Sequence, residues 1–127
     1  MTLRQNSCIL VAEDDVVNQK VAQKILEKAG YQVHIAGNGE EAWNYLLSGQ
    51  PVDLVLMDVK MPVMDGVMAT HRIRESGRDF QHLPIIAMTA YAHPSDREKF
   101  LAAGMDDYIS KPVDKQDLLN LLARYLG

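Results

Sequence analysis

The sequence predicts an α/β fold, a doubly wound parallel sheet of five strands in a single domain. Short apolar runs recur along the chain. In residues 54–57 apolar residues do not alternate with polar ones, which is typical of a strand covered on both faces. A segment with apolar residues at helical spacing follows each run. Because successive parallel strands need a crossover, this alternation indicates one sheet with helices on both faces.

The elements are placed by these patterns and by the residues that end them. We expect strands at 8–12, 31–36, 54–58, 84–89 and 107–110. Helices are expected at 16–29, 39–47 and 67–75, in the segment that Pro94 and Ser95 open and Gly104 closes, and after Asp114. Asn38 and Asp114 are predicted N-caps, as is Ser95 with Glu98 three residues later. Gly30 follows helix one, where a helix-ending glycine is common.

The expected strand order is 2-1-3-4-5, one of the common orders of doubly wound sheets. It places strands one and three side by side at the point where the winding reverses. Ligands of such sheets collect at the carboxyl ends of the strands. The acids that follow strand one, Glu13 and Asp14, should therefore lie near Asp58 at the end of strand three.

The bulk properties limit the functional classes. At 127 residues the chain is expected to form one domain, 1–127, and its net charge of −4 argues against direct nucleic-acid binding. No apolar run approaches membrane-spanning length, and the first residues have no apolar core typical of a signal peptide. The single cysteine, Cys8, excludes an intrachain disulfide, is expected to be buried, and fits a reducing cytoplasm.

Five polar residues end strands at the same edge of the predicted sheet. They are Glu13, Asp14, Asp58, Thr89 and Lys111. Each alone has an ordinary structural explanation, as a solvated turn, a structural threonine or an exposed lysine. Together at one edge they favour a catalytic or ligand-binding site.

Electrostatics indicates what the site holds. Carboxylates about 5 Å apart repel by roughly 3 kcal/mol per pair at an effective dielectric constant near 20. Lys111 supplies one positive charge, and an all-oxygen ligand set favours Mg²⁺ over zinc. Mg²⁺ keeps several waters and leaves room for a phosphoryl oxygen, so the residues predict a phosphoryl group held beside a carboxylate.

Four motifs in order along the chain are ILVAEDD, LVLMDVKMPVMDG, IIAMTA and YISKP. Through them the sequence resembles the receiver domain of response regulators in two-component signalling, over essentially its whole length. The segments VNQKVAQKIL and MDGVMATHRIR are most similar to receivers attached to hybrid sensor histidine kinases. The resemblance implies a flavodoxin-like (βα)5 fold.

The resemblance also implies residue roles. Asp58 is expected to be the phosphoacceptor, which takes the group from a histidine kinase or a histidine phosphotransfer protein. Mg²⁺ is expected on Asp14, Asp58 and the backbone carbonyl of Lys60, with Glu13 acting through water. Glu13 departs from the aspartate that many members carry at this position.

The remaining implied roles concern the phosphoryl group. Lys111 is expected to pair with it, and Thr89 to hydrogen-bond it. Tyr108 is the expected switch aromatic, whose ring follows Thr89. Lys60 and Tyr91, two positions after the acceptor and the switch threonine, are expected to screen the phosphoryl group from water; alternatively, both point to solvent and contribute only to partner contact.

Other functions remain possible at this point. A phosphohydrolase resembling the haloacid dehalogenases would carry a second aspartate two positions after its nucleophile, where this chain has Lys60. An inactive pseudo-receiver would have lost Asp58 or Lys111, and both are present. A flavin carrier of similar fold is disfavoured because acids after strand one would repel a cofactor phosphate.

Overall fold

A computed structural model describes residues 7–90 and 94–126, apart from the side chains of residues 94 and 95. The strands are β1 (Cys8–Ala12), β2 (Gln32–Ala36), β3 (Leu54–Asp58), β4 (Ile85–Thr89) and β5 (Asp107–Ser110). The helices are α1 (Val16–Lys28), α2 (Gly39–Leu47), α3 (Gly66–Glu75), α4 (Pro94–Ala102) and α5 (Lys115–Leu126). These bounds match the expected elements to within one or two residues.

All neighbouring strands pair in parallel, in the order β2-β1-β3-β4-β5. The predicted fold class and strand order are therefore confirmed. Ala12 pairs with Met57, and Asp58 with Met88, so β3 ends one residue beyond β1 and β4 one residue beyond β3. None of the helices formed by the described residues combines the length and the apolar composition that a bilayer-spanning helix needs.

Two apolar clusters lie on opposite faces of the sheet. One joins strand residues such as Val11 and Ile86 to α1 and α5, through Leu26 and Leu118. The other joins alternate strand residues to α2, α3 and α4, through buried side chains that include Ala42, Ile73 and Phe100. The helices therefore cover both faces, which explains why the central strands have no polar alternation.

The alternation of side chains along the strands also determines on which face of the sheet each of the following polar residues lies. Glu13, Asp58 and Lys111 continue the positions that face α1 and α5. Thr89 continues the opposite face, which it shares with Tyr108 because Ala87 pairs with Tyr108. The sheet thus separates a charged group of residues from the threonine and aromatic pair, and both groups reach the same edge.

The helix starts follow local capping chemistry. The predicted cap at Asn38 is confirmed, because its side chain accepts from the Glu41 N–H. Asp114 likewise accepts from the Asp117 N–H. The predicted cap at Ser95 is wrong, because α4 begins at Pro94 and Ser95 lies inside the first turn. Proline suits that position since its missing N–H would have no partner there.

One further expectation needs correction. Cys8 is only partly buried, because it is the first residue of β1 and lies at the end of the sheet rather than in its centre.

In α1 the buried residues are Ala22 and Leu26, whereas Val17 is 69% and Val21 43% exposed. The buried face of the helix is therefore narrower than its apolar stripe.

Candidate functional site

The Asp58 side chain lies at the base of the site, at the last residue of β3, and is 5% exposed. Its Oδ1 accepts from the Lys60 N–H at 3.3 Å. Gly66 allows α3 to start close behind it, because a Cβ there would collide with the carbonyl oxygen of Asp58. The Gly66 N–H also donates to the Val59 carbonyl at 3.0 Å and closes the β3–α3 loop.

Lys111 lies between two carboxylates. Its Nζ donates to Asp58 Oδ2 at 2.8 Å and lies 2.7 Å from Glu13 Oε1 as an ion pair. Glu13 is 1% exposed, and its Oε2 accepts from the Asp15 N–H at 3.1 Å. A cis peptide bond joins Lys111 to Pro112 directly after β5.

The Lys111 pKa reflects these contacts. Burial alone would lower the pKa of the ammonium group, because it disfavours the charged form. The hydrogen bond to Asp58 and the contact with Glu13 outweigh burial, and the pKa is raised. Lys111 is therefore a permanent cation at neutral pH.

Three carboxylates form the acidic part of the site. Oxygens of Glu13, Asp14 and Asp58 lie within 4.8 Å of one another, and Asp14 is the exposed member. The buried Oε1 of Glu13 contacts the Lys111 ammonium group. Three negative groups with one lysine between two of them suit an additional hard cation with oxygen ligands. These residues fit Mg²⁺.

A cavity of about 270 Å³ opens above Asp58. Its lining includes the predicted residues Glu13, Asp14, Lys60, Thr89 and Lys111. A wider depression of about 750 Å³ adjoins it, since Asp14, Lys60 and Thr89 also line that one, and it extends to Phe100 on α4. The site is therefore open enough for a phosphoryl group and an approaching donor.

Of the two predicted tyrosines, Tyr108 lies within the described residues. Tyr108 is half-buried, and its ring centre lies 6.3 Å from that of Phe100 at an interplanar angle of 50°. Tyr108 therefore packs against Phe100 of α4 and does not line the cavity above Asp58. Tyr91 lies outside the described residues, and its expected screening role stays a prediction.

Two site residues were missed at the sequence level. Asp15 caps α1 by accepting from the Val17 and Asn18 N–H groups. The Asn18 side chain then lines both the cavity above Asp58 and a smaller one beside Lys111 and Pro112. An acid immediately before an apolar helical pattern was the available signal for the cap.

Comparison with known proteins places this geometry in a family. The profile of the response regulator receiver domain matches residues 9–123. The chain belongs to this family. The receiver is also 40% identical over 119 residues to hybrid signal transduction histidine kinase I of Dictyostelium discoideum. The match covers 90% of the chain but 7% of the kinase, so the receiver spans a small part of that relative.

Two solved structures share the receiver fold. The receiver domain of the sensor histidine kinase PA1611 from Pseudomonas aeruginosa is 40% identical to this chain, with a TM-score of 0.86. The match covers 96% of this chain and 98% of the PA1611 domain. That domain has a magnesium ion coordinated in its active-site cleft. The receiver of Ssk1 from Saccharomyces cerevisiae, solved with the histidine phosphotransfer protein Ypd1, is 31% identical, with a TM-score of 0.85 and coverages of 95% and 89%.

Proposed function

We propose that this receiver accepts a phosphoryl group on Asp58 from a phosphohistidine of a histidine kinase or a histidine phosphotransfer protein. The observation that carries the proposal is the Asp58 carboxylate, buried at the base of an open cavity and held by Lys111 and the Lys60 N–H. The Ssk1 receiver structure, which contains a phosphotransfer protein, supports the class of donor.

In the proposed reaction, an Asp58 carboxylate oxygen attacks the phosphorus of the phosphohistidine. A phosphorus–oxygen bond forms, the phosphorus–nitrogen bond breaks, and the imidazole leaves with its electron pair and takes up a proton. Aspartate is a known nucleophile in phosphoryl transfer of this type. The domain thereby promotes only its own phosphorylation and dephosphorylation, and acts as a signalling module rather than an enzyme with turnover on other substrates.

The metal proposal rests on the carboxylates of this chain. Asp14 and Asp58 would hold Mg²⁺ directly with the Lys60 carbonyl, and Glu13 would reach it through water. When bound, Mg²⁺ neutralises charge on the phosphoryl oxygens during transfer. The exposed position of Asp14 and the closeness of the three carboxylates support this assignment, as does the magnesium ion in the PA1611 receiver.

Lys111 is proposed to transfer its contact from Asp58 to the phosphoryl group. The Asp58 oxygen that now accepts from Nζ becomes part of the acyl phosphate and loses charge. Glu13, still 2.7 Å from Nζ, would keep the ammonium group at the site while it turns to the new oxygens. Charge-assisted hydrogen bonds of this type are among the stronger contacts in proteins.

Thr89 and Tyr108 are proposed to carry the signal away from the site. Thr89 lines the cavity above Asp58, and its hydroxyl would turn to a phosphoryl oxygen. Tyr108 shares its sheet face and packs against Phe100 of α4, so a change at Thr89 would alter the surface near α4. Lys60, whose side chain is exposed at the cavity, would shield the phosphoryl group from water together with Tyr91.

The test is intact-mass measurement after exposure to phosphoramidate and Mg²⁺. The native chain should gain the mass of one phosphoryl group, and Asp58→Asn should gain none, because an amide of equal size does not attack phosphorus. Asp53→Asn is the matched control, since Asp53 directly precedes the other end of β3 and its replacement should leave labelling unchanged. Phosphorylation of Asp58→Asn at the native rate would place the acceptor elsewhere.

A further inference from the structure

β2 is an outermost strand of the sheet, and among the described residues no strand pairs with its outer side. The Gln32 N–H donates to the Ser7 carbonyl at 3.0 Å, so the backbone groups of Gln32 point to β1. Backbone groups of successive residues in a strand point to opposite sides, and those of His34 therefore also point to β1. The N–H and carbonyl groups of Val33 and Ile35 point outward, where no described strand meets them.

β2 lacks the features by which outermost strands usually avoid pairing with other chains. Its sequence, QVHIA, contains no acid, lysine, arginine or proline. The other outermost strand, β5, begins with Asp107, which pairs with Arg124 at 3.1 Å. Arg97 and Asp117 line the depression beside β5 as well. Charged side chains therefore flank β5, whereas the outer side of β2 is open to a further strand.

The side chains of β2 differ between the two faces of the sheet. Val33 and Ile35 are half-buried against the apolar cluster that contains α1 and α5, and His34 is exposed on the opposite face. The Tyr45 ring of α2 stacks on the His34 imidazole, with ring centres 3.8 Å apart and an interplanar angle of 12°. The stack orients the imidazole and covers one of its ring faces, while the residue as a whole remains exposed.

We propose that β2 pairs with β2 of a second copy of this chain, antiparallel about a two-fold axis beside His34. The outward N–H groups of Val33 and Ile35 then donate to the carbonyls of Ile35 and Val33 of the second copy, and the second copy donates in return. All outward backbone groups of these two residues gain partners, and the two sheets become one. The pairing is independent of the phosphoacceptor assignment.

This register makes the strand complementary to itself. Val33 lies opposite Ile35 of the second copy, and pairs of β-branched residues suit neighbouring positions on a sheet. His34 lies opposite His34 of the second copy, in a pair without mutual backbone hydrogen bonds, where side chains are closest. An extended segment of another protein would satisfy the same backbone groups, but β2 itself supplies the matched side chains. The two-fold pairing is closed, so it ends at the dimer.

Cross-linking between introduced cysteines tests the register. Cys8→Ser is the background, because Cys8 is the single cysteine of the chain. His34→Cys places two thiols opposite each other, and oxidation by copper–phenanthroline in air should join them in a disulfide-linked dimer. Gln32→Cys is the matched control, because this exposed residue lies on the same face but opposite Ala36 of the second copy. Little covalent dimer should form from it.

Sedimentation velocity tests the association itself. For the native chain, the average sedimentation coefficient should rise between about 10 µM and about 1 mM, since a short interface binds weakly. His34→Lys should weaken association at least about tenfold, because it places two ammonium groups opposite each other. Val33→Pro should do the same, because it removes an outward N–H that the sheet does not use. Gln32→Lys should associate as the native chain does.

Thermal unfolding of each variant in dilute solution separates lost pairing from lost folding. A native chain that stays monomeric over this range would overturn the inference and leave a strand of another protein as the occupant of β2. Equal association of the native chain and a folded His34→Lys, or equal cross-linking at positions 32 and 34, would also overturn it. None of the substituted residues lines the cavity above Asp58, so phosphoramidate labelling should be unchanged in every variant.

Discussion

The two edges of the sheet each hold a cation beside carboxylates, but the surroundings differ. At the carboxyl edge, Lys111 contacts Glu13 and Asp58, with Asp14 nearby. At the amino edge, Arg74 of α3 contacts Asp106 before β5 at 2.9 Å. Both cations are mostly buried, with side-chain exposures of 18% for Lys111 and 15% for Arg74. Their partners determine what each edge does.

The donors of Arg74 are matched to acceptors. Nε donates to the Gly104 carbonyl at 2.9 Å, and one terminal nitrogen donates to the Phe80 carbonyl at 2.6 Å. The other terminal nitrogen donates to Asp106, whose Oδ2 also accepts from the Ile85 N–H. One side chain therefore joins α3, the α3–β4 loop, the end of α4 and the start of β4. This edge is a structural joint.

The carboxyl edge is left with more negative charge than its lysine neutralises. Three carboxylates face the ammonium group of Lys111, which contacts Glu13 and Asp58. Carboxylates this close destabilise one another until a further cation arrives. The comparison indicates that matched hydrogen bonds stabilise the fold at one edge, while unmatched charge at the other is available for a metal ion and a phosphoryl group.

The largest expected effect is at the structural joint. Arg74→Met should lower the free energy of unfolding by about 3 kcal/mol, because it removes the donor of the half-buried Phe80 and Gly104 carbonyls and the cation beside Asp106. Urea denaturation measures this effect, and it should be the same with and without Mg²⁺. Arg124→Met is the control, because Arg124 is 67% exposed in its pair with Asp107 and should cost well under 1 kcal/mol. Equal losses of unfolding free energy for the two variants would show that the contacts of Arg74 stabilise the fold no more than an exposed ion pair does.

A smaller effect of opposite sign is expected at the carboxyl edge. Asp14→Asn should raise the free energy of unfolding by about 1 kcal/mol in metal-free buffer, because it removes one of three mutually repelling charges. In Mg²⁺ the order should reverse, because the native chain gains about 1.4 kcal/mol at ten times its dissociation constant. Asp106→Asn, at the other edge, should be destabilising in both buffers. Destabilisation by Asp14→Asn in metal-free buffer would show that the acids do not repel one another appreciably.

The smallest effect concerns Cys8 at the amino edge. Burial raises the pKa of its thiol, and the nearby Asp53 carboxylate raises it further. The pKa of the Cys8 thiol is higher in the folded chain than in the unfolded chain. The thiol therefore contributes fully to the free energy of unfolding below its ordinary pKa, and this contribution is lost as the pH rises through the folded pKa. Iodoacetamide should therefore modify folded Cys8 with a more alkaline midpoint than the unfolded chain. Asp53→Asn should shift the midpoint part of the way back; an unchanged midpoint would exclude a contribution from Asp53.

Much of this molecule follows from local sequence patterns. Unbroken apolar runs and helical spacing predicted the alternation of strands and helices, and parallel winding then placed Glu13, Asp58, Thr89 and Lys111 at one edge. These inferences succeed because a strand covered by helices on both faces is apolar at successive positions. The first polar residue after such a run therefore marks the end of the strand. The roles of Lys60 and Tyr91 as a screen stay predictions.

Tertiary structure alone decided the rest. Arg74 meets Gly104 and Asp106 across 30 and 32 residues of sequence, so no local pattern marks it as a joint. The positive φ of Val63 depends on the contact of its neighbour Met64 with Gly39. Val17 is 69% exposed although it belongs to the apolar stripe of α1. Periodicity along the chain reports which residues can share a face, but only packing between distant segments fixes which of them are covered and which backbone conformations are imposed.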